Sequence, residues 1–286
     1  MTHAGHGRPN TRRSDGGDRC GPLLDELQSN PQLPRVIDYL LGGRDSYGND
    51  RQLAQQLLAV SPHLRSTALA NIRHRTAAVT TLTRDLGIVQ LLVLGCGQPT
   101  QFGPHSEELP LPHEVAARFQ SSVRTVYVDI DPIVRAHVNA YLPANSRTVL
   151  GDISDMDSVL DHPTLHEHLD LRQPLGVLCH GTLASLDDDA TRHTMKRLRD
   201  QLPTGSAISI THPTADMDSS MNEVSRLLAD AQITYRTRTI DQICTLLGDL
   251  PAHAPGIVPT ALWETAGISP SGMLPSQGYA VLLLNL

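Results

Sequence analysis

The chain has 286 residues and a formal charge of −7, a balance that argues against a general nucleic-acid binder, whose footprint is a basic domain. No apolar run approaches the ~18 residues of a membrane span, and the four cysteines (Cys20, Cys96, Cys179, Cys244) form no CxxC pair, which argues against a zinc site or a redox couple. Apolar residues make up 40% of the chain but aromatics only 3%, so the core is expected to be built from Leu, Val, Ile and Ala.

Residues 1–30 carry no hydrophobic signal segment and read as a polar, disordered tail of a cytoplasmic protein, with His3 and His6 as tail residues rather than metal ligands. Residues 31–87 read as a helical cap. Leu53, Leu57 and Leu58 share a helix face behind Asp50 as N-cap, and Pro62 stops that helix. A second helix is predicted from about 66 to 86, with Leu69, Ile72, Val79, Leu82 and Leu86 on one side and Gly87 closing it. Residues 88–286 then alternate. Strand-like runs fall at 88–94, 124–129, 148–150, 175–179, 207–211, 233–238 and 279–284, and helix-like runs at 113–120, 132–141, 189–202 and 219–231. This alternation predicts an α/β, doubly wound, Rossmann-like sheet covered on both faces, with the unbroken apolar run 280–284 as an interior strand.

In such a sheet ligands bind beyond the carboxyl ends of the strands. The first strand leaves through Gly95-Cys96-Gly97, where glycine permits positive φ and close backbone approach. The second leaves through Asp129-Ile130-Asp131-Pro132. Asp129 suits a ribose hydroxyl pair, and Asp131 caps the helix that Pro132 opens. The third leaves through Gly151-Asp152-Ile153, an acid for an adenine amine beside an apolar face for its ring. His180 and His212 end the fourth and fifth strands and are the candidate general bases, each with the alternative of a ring that only hydrogen-bonds the loop backbone. The Asp187-Asp188-Asp189 run reads as a helix cap, not a metal site. Cys179 reads as core, and Trp263 either lines a pocket or anchors a loop. A dinucleotide fingerprint would place a third glycine at position 100, where this chain has Thr, and Pro99 lies in the loop. Both disfavour a nicotinamide oxidoreductase.

Six stretches carry a family resemblance: PRVIDYLLGGRDSYGNDRQLA (34–54), LVLGCGQPT (92–100), VYVDIDPIVRAH (126–137), DHPTLHEHLDLRQP (161–174), RLRDQLPTGSAISITHPTAD (197–216) and APGIVPTALW (254–263). They resemble the class I S-adenosylmethionine-dependent methyltransferases, and more closely a group of predicted methyltransferases abundant in actinobacteria. The resemblance implies a seven-stranded sheet with the last strand antiparallel, an N-terminal helical cap and S-adenosylmethionine as the cofactor. It implies that Gly95, Cys96 and Gly97 lie under the methionine part, that Asp129 and Ile130 serve the ribose end, and that Asp152 and Ile153 flank the adenine. The segment 41–45 would fold over the cofactor side. There Arg44 could meet the cofactor's carboxylate and Tyr39 or Tyr47 its sulfonium. The other reading makes 42–45 a turn between helices, with Arg44 paired to Asp50 on the surface.

The chain departs from the family pattern in three places. Val93 stands where the loop usually begins with an acid, a loss worth about 1–3 kcal/mol of binding. The run 101–111 looks inserted. Leu183 and Ala184 replace a His and an aromatic after the fourth strand. The expected function is methyl transfer to a small-molecule acceptor. The alternative is a weak or inactive S-adenosylmethionine-binding regulatory protein. The sequence leaves acceptor, oligomeric state and pathway open.

Overall fold

The computed structural model describes residues 30–100, 109–263 and 275–286. The amino-terminal tail and residues 101–108 of the inserted run lie outside them.

Among the described residues three helices precede the sheet. Helix α1 (Leu33–Leu40) has a proline in its first turn, where the missing N–H costs nothing. Helix α2 (Gly48–Val60) is capped at Tyr47, and Asp50, expected as the cap, is instead its third residue. The Asp50 carboxylate accepts the Tyr47 N–H at 2.8 Å and pairs with Arg35 Nε at 2.8 Å, both side chains buried. Asp50 is therefore not a surface partner for Arg44. Helix α3 (Leu64–Thr80) runs into a π turn (Thr81–Asp85) and ends at Gly87, at φ +67°. The π turn shifts the 3.6-residue register, so Leu86, expected on the buried stripe, stays 38% exposed.

The sheet has the order β3-β2-β1-β4-β5-β7-β6. Strands β1 (Gln90–Leu94), β2 (Arg124–Asp129), β3 (Ser146–Leu150), β4 (Gly176–His180) and β5 (Ser206–Pro213) are parallel, and β7 (Gly278–Asn285) runs antiparallel to β5. Strand β6 (Val258–Pro259) adds two residues beyond β7, which makes β7 interior, as its apolar run implied. One face buries Leu92, Leu94, Val128, Cys179 and Ile210 under α8 (Asp188–Gln201) and α10 (Ile240–Leu247). The other buries Leu91, Val93, Tyr127 and Leu178 under Val79 and Leu82 and beside Trp263, at the end of α11 (Thr260–Trp263). Trp263 is thus a core anchor. Five short helices complete the connections: α4 (Pro112–Ala117), α5 (Pro132–Asn139), α6 (Met156–Leu160), α7 (Pro163–His168) and α9 (Ser220–Asp230).

The expected strand at 233–238 is not in the sheet. It is extended but forms no ladder, Arg236 N–H donating to Ala184 O in the 3-10 turn Thr182–Ser185 and Arg238 N–H to Pro213 O at the end of β5. Its alternation has another cause: Ile233 and Tyr235 pack against the cluster formed by α1, α2 and α9, while Arg238 is buried elsewhere. Among the described residues no helix is long and apolar enough to cross a membrane.

Candidate active site

The strand order reverses between β1 and β4, and the crevice opens there, at the carboxyl ends of the parallel strands. Gly95 and Gly97 both sit at positive φ, +65° and +66°. Gly95 is doubly constrained, because a Cβ there would overlap the Thr182 side chain, whose hydroxyl donates to Leu94 O at 2.8 Å. At Gly97 the same space is open. Asp129 is buried and closes onto the loop. One carboxylate oxygen accepts from Gly97 N at 3.1 Å and from Cys96 Sγ at 3.5 Å, the other from Asp131 N at 3.0 Å. Burial pushes the Asp129 carboxyl above its ordinary value against the pull of these donors, and pushes the Cys96 thiol up as well. Asp131 caps α5 through Ile133 N–H, as the sequence implied. Ile130 is 65% exposed beside the loop, and Asp152 and Ile153 line the same crevice from the end of β3.

A residue that sequence reasoning passed over ties this loop to the first helix. Asp38, buried in α1, accepts the Thr100 hydroxyl at 2.9 Å on one oxygen and the Asp45 N–H at 2.9 Å on the other. Thr100, where a third fingerprint glycine was sought, is thus the clasp of the loop. The turn 42–45 wraps Asp38: Gly42 is at φ +83°, Gly43 N–H donates to Asp38 O, and a Cβ on Gly43 would overlap the Asp38 carboxylate. The available signal was an acid inside an apolar helix followed by two glycines. Gly43→Ala should cost about 1–3 kcal/mol of stability in chemical denaturation, since a buried carboxylate has to move. Arg44 points to solvent and does not line the crevice. Tyr47 is likewise outside it, 39% exposed, with Arg35 5.0 Å from its ring centre. Tyr39 is half-buried against the helical cluster and 5.6 Å from Arg65.

The two histidine candidates differ. His212 has both nitrogens engaged: Nδ1–H donates to Pro213 O at 2.8 Å, and Nε2 accepts from Arg238 at 2.7 Å. Burial and the Arg238 charge hold its pKa down at about 4. Arg238 is itself fixed by Leu183 O, Leu186 O and Asp188, so this is a structural knot. His180 bonds Ser209 Oγ through Nε2 at 2.9 Å, and its Nδ1 is buried without a partner. The same Ser209 hydroxyl meets His74 Nε2 at 3.1 Å, from α3. One hydroxyl hydrogen serves one ring only, so the serine donates to one histidine and accepts from the other, which sets opposite tautomers. Burial lowers the pKa of both, that of His74 to about 3, so both rings are neutral at pH 7. Asp187 caps α8 through Ala190 N–H, and Leu183 and Ala184 are buried in a 3-10 turn (Thr182–Ser185).

A cavity of about 840 Å³ joins these parts. The loop 95–98, Asp129, Ile130, Asp152, Ile153, His180 and His212 line one part of it. The rest lies between Val36 and Leu40 of α1, Leu57 of α2, Ala68 and Ile72 of α3 and Leu228 of α9, with Asn71, Thr211 and Gln277 as neutral polar points.

Residues 24–278 match the family described as S-adenosyl methyltransferase. A DUF574 family protein from Streptomyces avermitilis is 27% identical over 91% of this chain and 99% of its own, with a TM-score of 0.81. A methyltransferase candidate from Thermobifida fusca is 30% identical over 90% of this chain and 96% of its own, with a TM-score of 0.82. A SAM-dependent methyltransferase from Anabaena variabilis, 12% identical over 90% of this chain and 97% of its own, shares the fold alone, with a TM-score of 0.52. No curated protein matches the chain. The chain belongs to the S-adenosyl methyltransferase family, enzymes whose methyl donor is S-adenosylmethionine.

Proposed function

We propose that the protein methylates a small-molecule acceptor held in the apolar part of the cavity, with His180 taking the acceptor's proton. The observation that supports this reading most is the shared cavity, where cofactor-type groups meet an apolar chamber that carries neutral polar points. The residues present fit the cofactor. Gly97 leaves room for a ligand against the loop backbone, Asp129 offers a carboxylate to a ribose pair, and Ile130 and Ile153 offer apolar faces to an adenine beside Asp152. When bound, S-adenosylmethionine supplies an electrophilic methyl on a sulfonium sulfur.

The chain's own work is positioning and proton handling. The apolar walls exclude water and hold the acceptor in line with the methyl. A neutral His180 on the cavity wall accepts the proton that the acceptor's oxygen or nitrogen loses. Ser209 supports that state if it accepts Nε2–H from His180 and donates to His74.

Methyl transfer from tritium-labelled S-adenosylmethionine to a panel of small phenols, alcohols and amines tests this. His180→Gln should lower the rate about 10²- to 10³-fold while S-adenosylhomocysteine affinity stays within about twofold. Tight cofactor binding with no turnover across the panel would favour the regulatory alternative.

A further inference from the structure

We propose that Arg75 of α3 is the anchor for the carboxylate of the cofactor's methionine half, the role that sequence reasoning offered to Arg44. This rests on the methyltransferase reading above. Arg75 lines the cavity together with Val93, the loop 95–98 and His180. Its guanidinium is near enough to the loop and the cavity floor for its charge to act on the Cys96 thiol and the His180 ring. It donates once, from an Nη to Pro110 O at 3.0 Å, and its Nε is buried with no hydrogen-bond partner.

A charge held this way lacks compensation. Among the described residues Arg75 makes no ion pair. Glu114 acts on it only through space and spends its carboxylate on Leu111 N–H at 2.7 Å. On the same face of the sheet β1 offers Val93 and no acid. An uncompensated cation held between a buried Nε and a largely apolar cavity is costly, and the fold keeps it. A bound carboxylate relieves that cost. A carboxylate also matches the planar fork of a guanidinium, which a phosphate-free cofactor offers at one place only, its amino-acid end. Position 93 then acquires a use. An acid there would sit on the face where Arg75 lies and compete for it, so valine leaves the cation free for the ligand. The same neutralisation would lift the repulsion that Arg75 exerts on a proton at His180.

Titration calorimetry with two probes separates this from a structural role. S-adenosylhomocysteine carries the amino-acid end, and 5′-methylthioadenosine lacks it. Arg75→Met should weaken S-adenosylhomocysteine about tenfold to a hundredfold and leave 5′-methylthioadenosine within about twofold. Arg75→Lys, which keeps the charge and loses the fork, should fall between. Equal losses for both probes would make Arg75 a packing residue, and an unchanged S-adenosylhomocysteine affinity would place the carboxylate elsewhere. Either result overturns the proposal. A wild-type protein that binds neither probe would instead sink the cofactor-site reading on which the proposal stands.

Discussion

Asp129→Ala should lower S-adenosylhomocysteine affinity at least roughly a hundredfold in titration calorimetry. Two hydrogen bonds from a ribose pair to one carboxylate, at about 1.5–3 kcal/mol each, account for that size. The free protein already holds this carboxylate on Gly97, Cys96 and Asp131, so the acid is pre-placed and the loop is shaped around it. Its burial opposes ionisation, and three donors offset that cost. Asp129→Asn, which keeps one oxygen, should lose less than the alanine variant. Wild-type affinity in Asp129→Ala would remove the residue from the site.

Acid should unfold the protein through its histidines. His74 and His212 titrate at about 3 and about 4 in the fold and near 6.5 when exposed. Their folded values are depressed, so the stability they hold is complete above pH 6.5. It is lost as pH falls, because the unfolded chain takes up protons that the folded chain refuses. At about 1.36 kcal/mol per pH unit, the fall from 6.5 to 5 costs about 2 kcal/mol for each histidine and about 4 kcal/mol for the pair. His180 is depressed too and adds in the same direction. Urea titrations at pH 7 and pH 5 check this, and His74→Gln should remove roughly a third of the difference, one of three buried rings being gone. Equal midpoints at the two pH values would show that the rings are not held neutral.

Most of the architecture was legible because its signals are local. β1, β2 and β4 are apolar runs that end at glycine or acid, β5 is one that ends at His212-Pro213, and Asp131-Pro132 announces a helix start. Sequence patterns failed where a long-range partner decides. Alternation at 233–238 reports extended backbone with one buried side, but says nothing of a ladder, and here a 3-10 turn and the last residue of β5 took the hydrogen bonds. The true β6 is two residues long and includes a proline, too short for any pattern. The acidic run 152–162 hid α6, a single helical turn capped by Asp155. In α3 the apolar stripe was visible. Asn71 and Arg75 were not, because a polar residue on a helix reads as solvent-facing until the cavity beside it is known, nor was His74, whose partner Ser209 lies on a distant strand. The glycines, Asp129, Asp152 and both histidines do come together at the crevice, whereas Arg44 and Tyr47 do not.

The Asp38–Thr100 clasp makes the sheet an incomplete module. The glycine loop is fastened to a helix that also walls the apolar part of the cavity, since Val36 and Leu40 flank Asp38 on α1. Exchanging the first helices between relatives to alter acceptor choice would therefore also loosen or retune the grip on the donor. On the reading proposed above, a change in this one short helix reaches both parts of the cavity at once.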